Sequence, residues 1–415
     1  MTVKQRLVFY CHGYDPEADS RYRRLFVTAF SQLSRRFDIK RSVGPVVRDE
    51  GVPADRWTVA AAGRDWQTET IYEVLRWDDL VKRDAGRSWA VRLPLLAGAM
   101  AEALRSGVLP RLFRLNWPFA LFVIYPWAML AGCVAGGLLL GYGAASLVSL
   151  ARPLGPAACW GIAAVVALGF LRAARTRLVR AHVYHLLDGW IFTWRQATGR
   201  DAAFGTRQDR FVRHVVDRVR ASDADEVLIV GHSTGSTIAC ELVARALALD
   251  PGFATRGPSV ALLTIGSCLP VVAFVRTARR LRCDIARLAT TEALLWVEYQ
   301  APQDALNAFG FDPVRDLELD VGGAAAINPR LRSARFKETL LPANYRRMRY
   351  NFFRMHFQFL AANDVPGEYD YLMIACGPVS LAERIADPQR AIATAYGRSA
   401  PTPEATAVAA AADAA

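Results

Sequence analysis

The chain of 415 residues has no C-x-x-C pair, no histidine and cysteine cluster at metal-ligand spacing, and no phosphate loop of the G-x-x-x-x-G-K-[ST] or G-x-G-x-x-G type. Nothing therefore supports a nucleotide-dependent or metal-dependent activity, and no cofactor is expected. No cleavable signal peptide is visible in the residues that follow Met1. The seven cysteines (Cys11, Cys133, Cys159, Cys240, Cys268, Cys283, Cys376) are scattered, which suits a reduced compartment where they serve as small buried hydrophobes. Lysine is scarce, so the formal net charge of +12 is almost wholly arginine. Its densest patches flank apolar segments, a distribution that favours an anionic membrane surface over nucleic acid as the partner.

The most informative absence is that of charge itself. From Trp117 to Leu171 a single charged residue occurs, Arg152, inside the turn-forming cluster Ala151-Arg152-Pro153-Leu154-Gly155-Pro156. About 20 apolar residues span a bilayer core, so two transmembrane helices are expected, roughly 117–143 and 154–171, joined as a hairpin. The second is short enough to suit a re-entrant or buried core helix instead. Arg105, Arg111 and Arg114 precede the segment and Arg172, Arg175, Arg177 and Arg180 follow it. The positive-inside rule puts such clusters in the cytoplasm. Both ends of the hairpin then face the same side, as they must if one domain is built from the chain before and after it.

What the chain does contain is centred on Leu228-Ile229-Val230-Gly231-His232-Ser233-Thr234-Gly235, a short apolar run that closes on G-H-S-T-G and leads into a helical pattern. A serine presented at the end of a buried strand needs a sharp turn, and Gly231 and Gly235 would let strand and helix close on it. The plain alternative is a strand followed by a serine that caps a helix. Upstream, Leu7 to Tyr10 reads as a buried strand ending in His12-Gly13-Tyr14-Asp15-Pro16. A backbone N–H of Gly13 or Tyr14 there would suit a developing oxyanion, unless the segment is an ordinary strand-to-helix turn.

The remaining elements follow from periodicity. Tyr22 to Phe37, Leu178 to Trp194 and Arg207 to Arg220 have helical spacing; residues 57–61, 70–75, 226–230, 259–265, 294–299 and 369–376 read as strands. Asp78 and Asp79 would border a pocket or start a helix. His182 and His185 lie at i and i+3, where a metal is conceivable, although a helix facing lipid headgroups or packing partners is the simpler reading.

An acid and a base remain to be found. Asp304 lies on the loop after the strand at 294–299, with Asp312, Asp316 and Asp320 as competitors that equally suit turn caps. A histidine after it would complete the order Ser, Asp, His. His356 is the one histidine left downstream of residue 304. It sits in an aromatic run, so a packed core residue is the alternative.

With these islands in place, the chain resembles the α/β-hydrolase superfamily, including its lipase and esterase members. It also resembles a group of uncharacterised bacterial membrane-inserted hydrolases that share an opening of the type F-Y-x-x-G-[YF]-D-P, here Phe9 to Pro16, and a Y-E-x-L-R-W-D-D stretch, here Tyr72 to Asp79. The resemblance implies an α/β fold with a doubly wound, mostly parallel sheet. It also implies Ser233 on the elbow and oxyanion donors from Thr234 and from Gly13 or Tyr14. The chain departs from the family in starting at what would be an internal strand and in carrying an apolar hairpin before the elbow. The expected organisation is residues 1–110 and 181–395 forming one hydrolase domain, 111–180 a transmembrane insertion and 396–415 a disordered tail.

The function expected is a multi-pass membrane serine hydrolase, of a bacterial inner membrane, whose catalytic domain faces the cytoplasm. It would cleave a lipid or other acyl ester through Ser233, His356 and Asp304. Acyl transfer or thioester cleavage on the same triad, and a non-catalytic membrane scaffold, are the alternatives.

Overall fold

The computed structural model describes residues 2–49, 51–152 and 154–397. Eight strands form one sheet in the order β2-β3-β4-β1-β5-β6-β7-β8. They are β1 Gln5–Cys11, β2 Lys40–Val43, β3 Ala54–Ala62, β4 Gln67–Leu75, β5 Glu226–His232, β6 Ser259–Ile265, β7 Leu295–Gln300 and β8 Arg330–Ser333. Pairing is parallel from β4 through β1 to β8, and β3 runs antiparallel to both β2 and β4. The fold is therefore α/β with a mixed, mostly parallel sheet. The chain starts at an interior strand, and β2 and β3, which come after it, complete that side of the sheet.

Why β1 and β5 read as unbroken apolar runs is now plain, because both are covered on two faces. Leu7, Phe9, Val227 and Ile229 point into a core with α8 (Ala202–Arg220) and α9 (Gly235–Leu249), whereas Val8, Tyr10, Leu228 and Val230 point into a second core with α1 (Ala18–Phe37). Residues alternate between the two, as the pleat requires. All seven cysteines are free thiols.

Two sequence expectations are corrected. Residues 369–376 form no edge strand: Asp370 accepts a hydrogen bond from the Met373 N–H at 3.2 Å and starts a buried helix, Tyr371–Cys376. A short apolar run has no periodicity that separates the two states, and the cap residue decides it. The last strand is instead β8, whose Arg-Leu-Arg-Ser sequence carries no strand signal. Nor is 178–194 one helix. The chain breaks at His182, which has φ of 56°, between α6 (Pro156–Arg180) and α7 (Val183–Ala197). The alanine-rich tail lies, from residue 398, outside the described residues, while Tyr396 ends a helix and bonds Asp370.

Ahead of α6 come α2 (Asp78–Ala85), α3 (Trp89–Arg105), α4 (Val108–Leu115) and α5 (Trp117–Ala151). Asp78 and Asp79 start α2. Asp78 is buried against Arg76 and Lys82, and Asp79 pairs with Arg207 at 2.7 Å. Helices α5 and α6 are both long and apolar enough to cross a membrane, and each is longer than its apolar run implied. Their packing is set by small residues: a Cβ on Gly141 would stand 2.3 Å from the Ala163 carbonyl oxygen, and one on Gly137 3.3 Å from that of Ala167. Such a small-xxx-small stripe lets two helix backbones touch. Away from this seam Leu138, Leu139, Tyr142, Leu147, Leu150, Trp160, Val165 and Leu168 are exposed.

Candidate active site

Strand β5 ends in the turn that carries Ser233, whose φ is 59°. A non-glycine residue in that region is strained and held there by its surroundings. Here the surroundings are two glycines. A Cβ on Gly231 would stand 2.6 Å from Ser236 Cα, and one on Gly235 would stand 2.0 Å from the Cys11 carbonyl oxygen. The first lets α9 fold back on its strand, and the second lets α9 touch the end of β1. Ser236 Oγ donates to the Gly231 carbonyl at 3.0 Å and the Ser233 N–H to the Ile265 carbonyl at 3.1 Å, fixing the turn from both sides.

The loop after β1 lies against it. A Cβ on Gly13 would sit 3.2 Å from Ser233 Cβ. His12 holds this loop: its Nδ1 bonds the Gly13 carbonyl at 2.7 Å, and its ring stacks between Trp77, 5.2 Å away, and Tyr22, 5.5 Å away. Trp77 Nε1 donates to the His12 carbonyl at 3.3 Å. The Y-E-x-L-R-W-D-D stretch thus delivers the aromatic platform of the F-Y-x-x-G-Y-D-P opening. Burial pushes the His12 imidazole below its ordinary pKa, keeping it neutral as a packing and hydrogen-bonding piece.

Asp304 and His356 meet on the far side. His356 Nδ1 and Asp304 Oδ2 are 2.6 Å apart, and both residues are buried. The other carboxylate oxygen accepts the Leu306 N–H at 2.9 Å. An ionised carboxylate only accepts, so the Nδ1 position carries the proton and Nε2 is left with its lone pair. That Nε2 is buried without a hydrogen-bond partner. The competitors serve turns: Asp312 accepts from Val314 and Arg315, Asp316 pairs with Arg315, and Asp320 accepts from Gly322.

The loop bearing Asp304 is rigidified through Asn307, which bonds both the N–H and the carbonyl of Ala301, and through Gln300, which bonds the Gly310 N–H and the Phe311 carbonyl. Gln300 in turn donates to Glu298 at 2.8 Å, beside Thr264 at 3.1 Å. Burial raises the Glu298 carboxyl from 4.5 to about 7. A raised carboxyl costs stability as pH climbs from about 4.5 to about 7 and costs no more above that, a span worth about 3 kcal/mol. Glu298→Gln is therefore expected to raise the thermal midpoint at pH 8 and leave it unchanged at pH 4, measured by thermal unfolding in detergent. An equal effect at both pH values would refute the ionisation argument.

Gly13, Tyr14, Ser233, Thr234 and His356 all line one cavity of about 700 Å³, within the range of small-molecule sites. Asp304 reaches it only through His356, and Gly231 and Gly235 lie behind it. The sequence reading missed several neighbours. Cys268 Sγ, a thiol that burial pushes up to about 12, lies 3.6 Å from Ser233 Oγ and 3.4 Å from the Leu306 carbonyl. With the thiol proton on that carbonyl, the Ser233 hydroxyl donates to sulfur and makes no hydrogen bond to His356. Gly266, with φ of 55°, brings His356 close: a Cβ there would stand 3.1 Å from its Cε1. His232, the second residue of G-H-S-T-G, stacks on the His356 ring at 4.7 Å and is kept neutral, chiefly by burial. His182 and His185 line the same cavity. Burial, and then His182, push His185 down to about 4.

No family model, curated protein or solved structure matches this chain.

Proposed function

We propose that the protein is a membrane-anchored serine hydrolase of α/β-hydrolase type that cleaves an acyl ester. The observation that carries the reading is His356: its Nδ1 is held by Asp304 and its bare Nε2 is buried in the same cavity as Ser233. Rotation about the Ser233 Cα–Cβ bond, away from the weak acceptor Cys268, would bring the hydroxyl toward His356. His356 Nε2 then takes its proton as Oγ attacks the ester carbonyl, and Asp304 stabilises the imidazolium. Amides of Thr234, at the start of α9, and of Gly13 or Tyr14, on the loop after β1, are the oxyanion donors in this scheme. The imidazolium returns the proton to the leaving alcohol, and water hydrolyses the acyl-enzyme by the same route.

Helices α5 and α6 form the anchor in this reading. At 1.5 Å per residue, the 35 residues of α5 run about 52 Å, longer than the ~30 Å hydrocarbon core. The surplus at its start is the part buried in the protein body. Arg111, Arg114, Arg172, Arg175, Arg177 and Arg180 flank the hairpin and would meet anionic headgroups on the cytoplasmic side.

The missing Ser233–His356 hydrogen bond is the one feature that favours a non-catalytic scaffold, although such bonds are often loose before substrate binds. A fluorophosphonate probe applied to membranes containing the full chain decides between them. A phosphonyl adduct mapped to Ser233 by peptide mass spectrometry is expected. Its absence, or an adduct elsewhere, would sink the hydrolase reading.

A further inference from the structure

The cavity over Ser233 is roofed by the base of the apolar hairpin. Phe119, Phe122, Val123 and Pro126 line it, at spacings of i, i+3, i+4 and i+7 that make one face of α5. Further along the same helix that face packs on α6 through Gly137 and Gly141, and Leu138, Leu139 and Leu147 are exposed on the other faces. Across the cavity α7 contributes Leu186, Gly189 and Trp190. Trp190 Nε1 donates to the Val123 carbonyl at 2.8 Å, so the two walls are pinned together and the space between them is preformed.

Gly189 has no backbone reason to be glycine. It lies inside α7 without a positive φ, and a Cβ there would meet only Tyr14 Cδ1, at the ordinary contact distance of 3.9 Å. A glycine inside a helix weakens it relative to alanine. What the missing side chain does provide is room in the cavity.

Resting on the hydrolase reading above, we infer that this cavity takes the aliphatic acyl chain of a long-chain ester presented by the bilayer, and that Gly189 sets the length it accepts. The helix that roofs the cavity is also one of the two long and apolar enough to cross the membrane, so an acyl chain entering from the lipid phase meets apolar side chains of α5 at both ends of its path. A water-soluble acyl ester would gain nothing from that placement.

The test uses the full chain in vesicles of phosphatidylcholine with phosphatidylglycerol, and p-nitrophenyl esters from acetyl to palmitoyl as probes. In the wild type kcat/KM should climb about fourfold per methylene, the conversion of ~0.8 kcal/mol of burial each, until the cavity is full. Gly189→Ala, Gly189→Leu and Gly189→Phe should lower the palmitoyl-to-acetyl ratio of kcat/KM in that order, by about a hundredfold for the largest. Val123→Ala, which opens the opposite wall, should shift the optimum to longer chains. A flat wild-type profile, or parallel loss of both esters across the series, overturns the inference. Fluorophosphonate labelling of Ser233 in each variant keeps the two readings apart. Labelling with a flat profile refutes the acyl cavity alone, and absent wild-type labelling refutes the hydrolase reading beneath it. To separate bilayer from aqueous supply, the wild-type palmitoyl rate is compared in vesicles and in a dilute non-micellar detergent. A rate that does not fall in detergent overturns the lateral route.

Discussion

Ser233→Ala and His356→Ala are each expected to lower kcat for ester hydrolysis by about 10⁶-fold, and the double variant by no more than either single one. The reason is that in the proposed mechanism nucleophile and base act as a unit. Ser233 without a proton acceptor is an ordinary alcohol, and His356 without Ser233 has nothing to deprotonate. Asp304→Asn should cost less, about 10⁴-fold, because the asparagine keeps the loop geometry but its NH₂ group faces Nδ1 and favours the wrong tautomer. Purified protein and a chromogenic ester give all four numbers in one assay. Additive losses from Ser233 and His356 would mean that the two side chains do not share a step. All variants should stay folded: Ser233 Oγ contributes one weak bond to Cys268, and His356→Ala removes the partner of one Asp304 oxygen while the other still accepts the Leu306 N–H, a loss of about 1–3 kcal/mol.

How much of this was legible in the sequence depends on how local each cause is. The elbow was, because its glycines are demanded within five residues by a strand and a helix that meet there. Asp304 and His356 were legible by order and scarcity, although nothing near either residue announces the 2.6 Å bond between them. Strands buried on both faces declared themselves as apolar runs. Lys40–Val43 and Arg330–Ser333 did not, because edge strands present polar side chains to water and have no hydrophobic period to detect. The helix at Tyr371–Cys376 was lost to the same ambiguity in reverse.

Apart from the pairing of Asp304 with His356, contacts made by folding distant segments together were not legible in the sequence. Cys268 beside Ser233, Gly266 under His356, His232 stacked on His356 and Trp77 against His12 join residues with no common periodicity. The hairpin illustrates the point most fully. Its composition declared two apolar helices, yet nothing in the run from Trp117 to Pro126 distinguished the turns that roof the cavity from those that continue beyond it. That division comes from which face of α5 meets α7, and the side-chain contacts across that seam are tertiary.

Gly235→Ala is expected to lower kcat/KM by about 10²- to 10³-fold, the loss associated with a single misplaced oxyanion donor. Its added Cβ would stand 2.0 Å from the Cys11 carbonyl oxygen and 2.7 Å from that of His12. Both are backbone atoms, so no side-chain rotation relieves the contact and the end of β1 must separate from α9. In the proposed mechanism those two segments carry the two halves of the oxyanion site, Gly13 or Tyr14 after β1 and Thr234 at the start of α9. A displacement of about 1 Å between catalytic groups is enough for a loss of this order. Overpacking should also destabilise the protein by about 1–3 kcal/mol. Gly189→Ala is the matched control, since its Cβ meets nothing closer than 3.9 Å and should leave the thermal midpoint level or higher. Fluorophosphonate labelling of Gly235→Ala should be slowed but still map to Ser233, because Ser233, His356 and Asp304 remain in place. If Gly235→Ala kept wild-type kcat/KM and stability, the contact between β1 and α9 would not govern the oxyanion geometry.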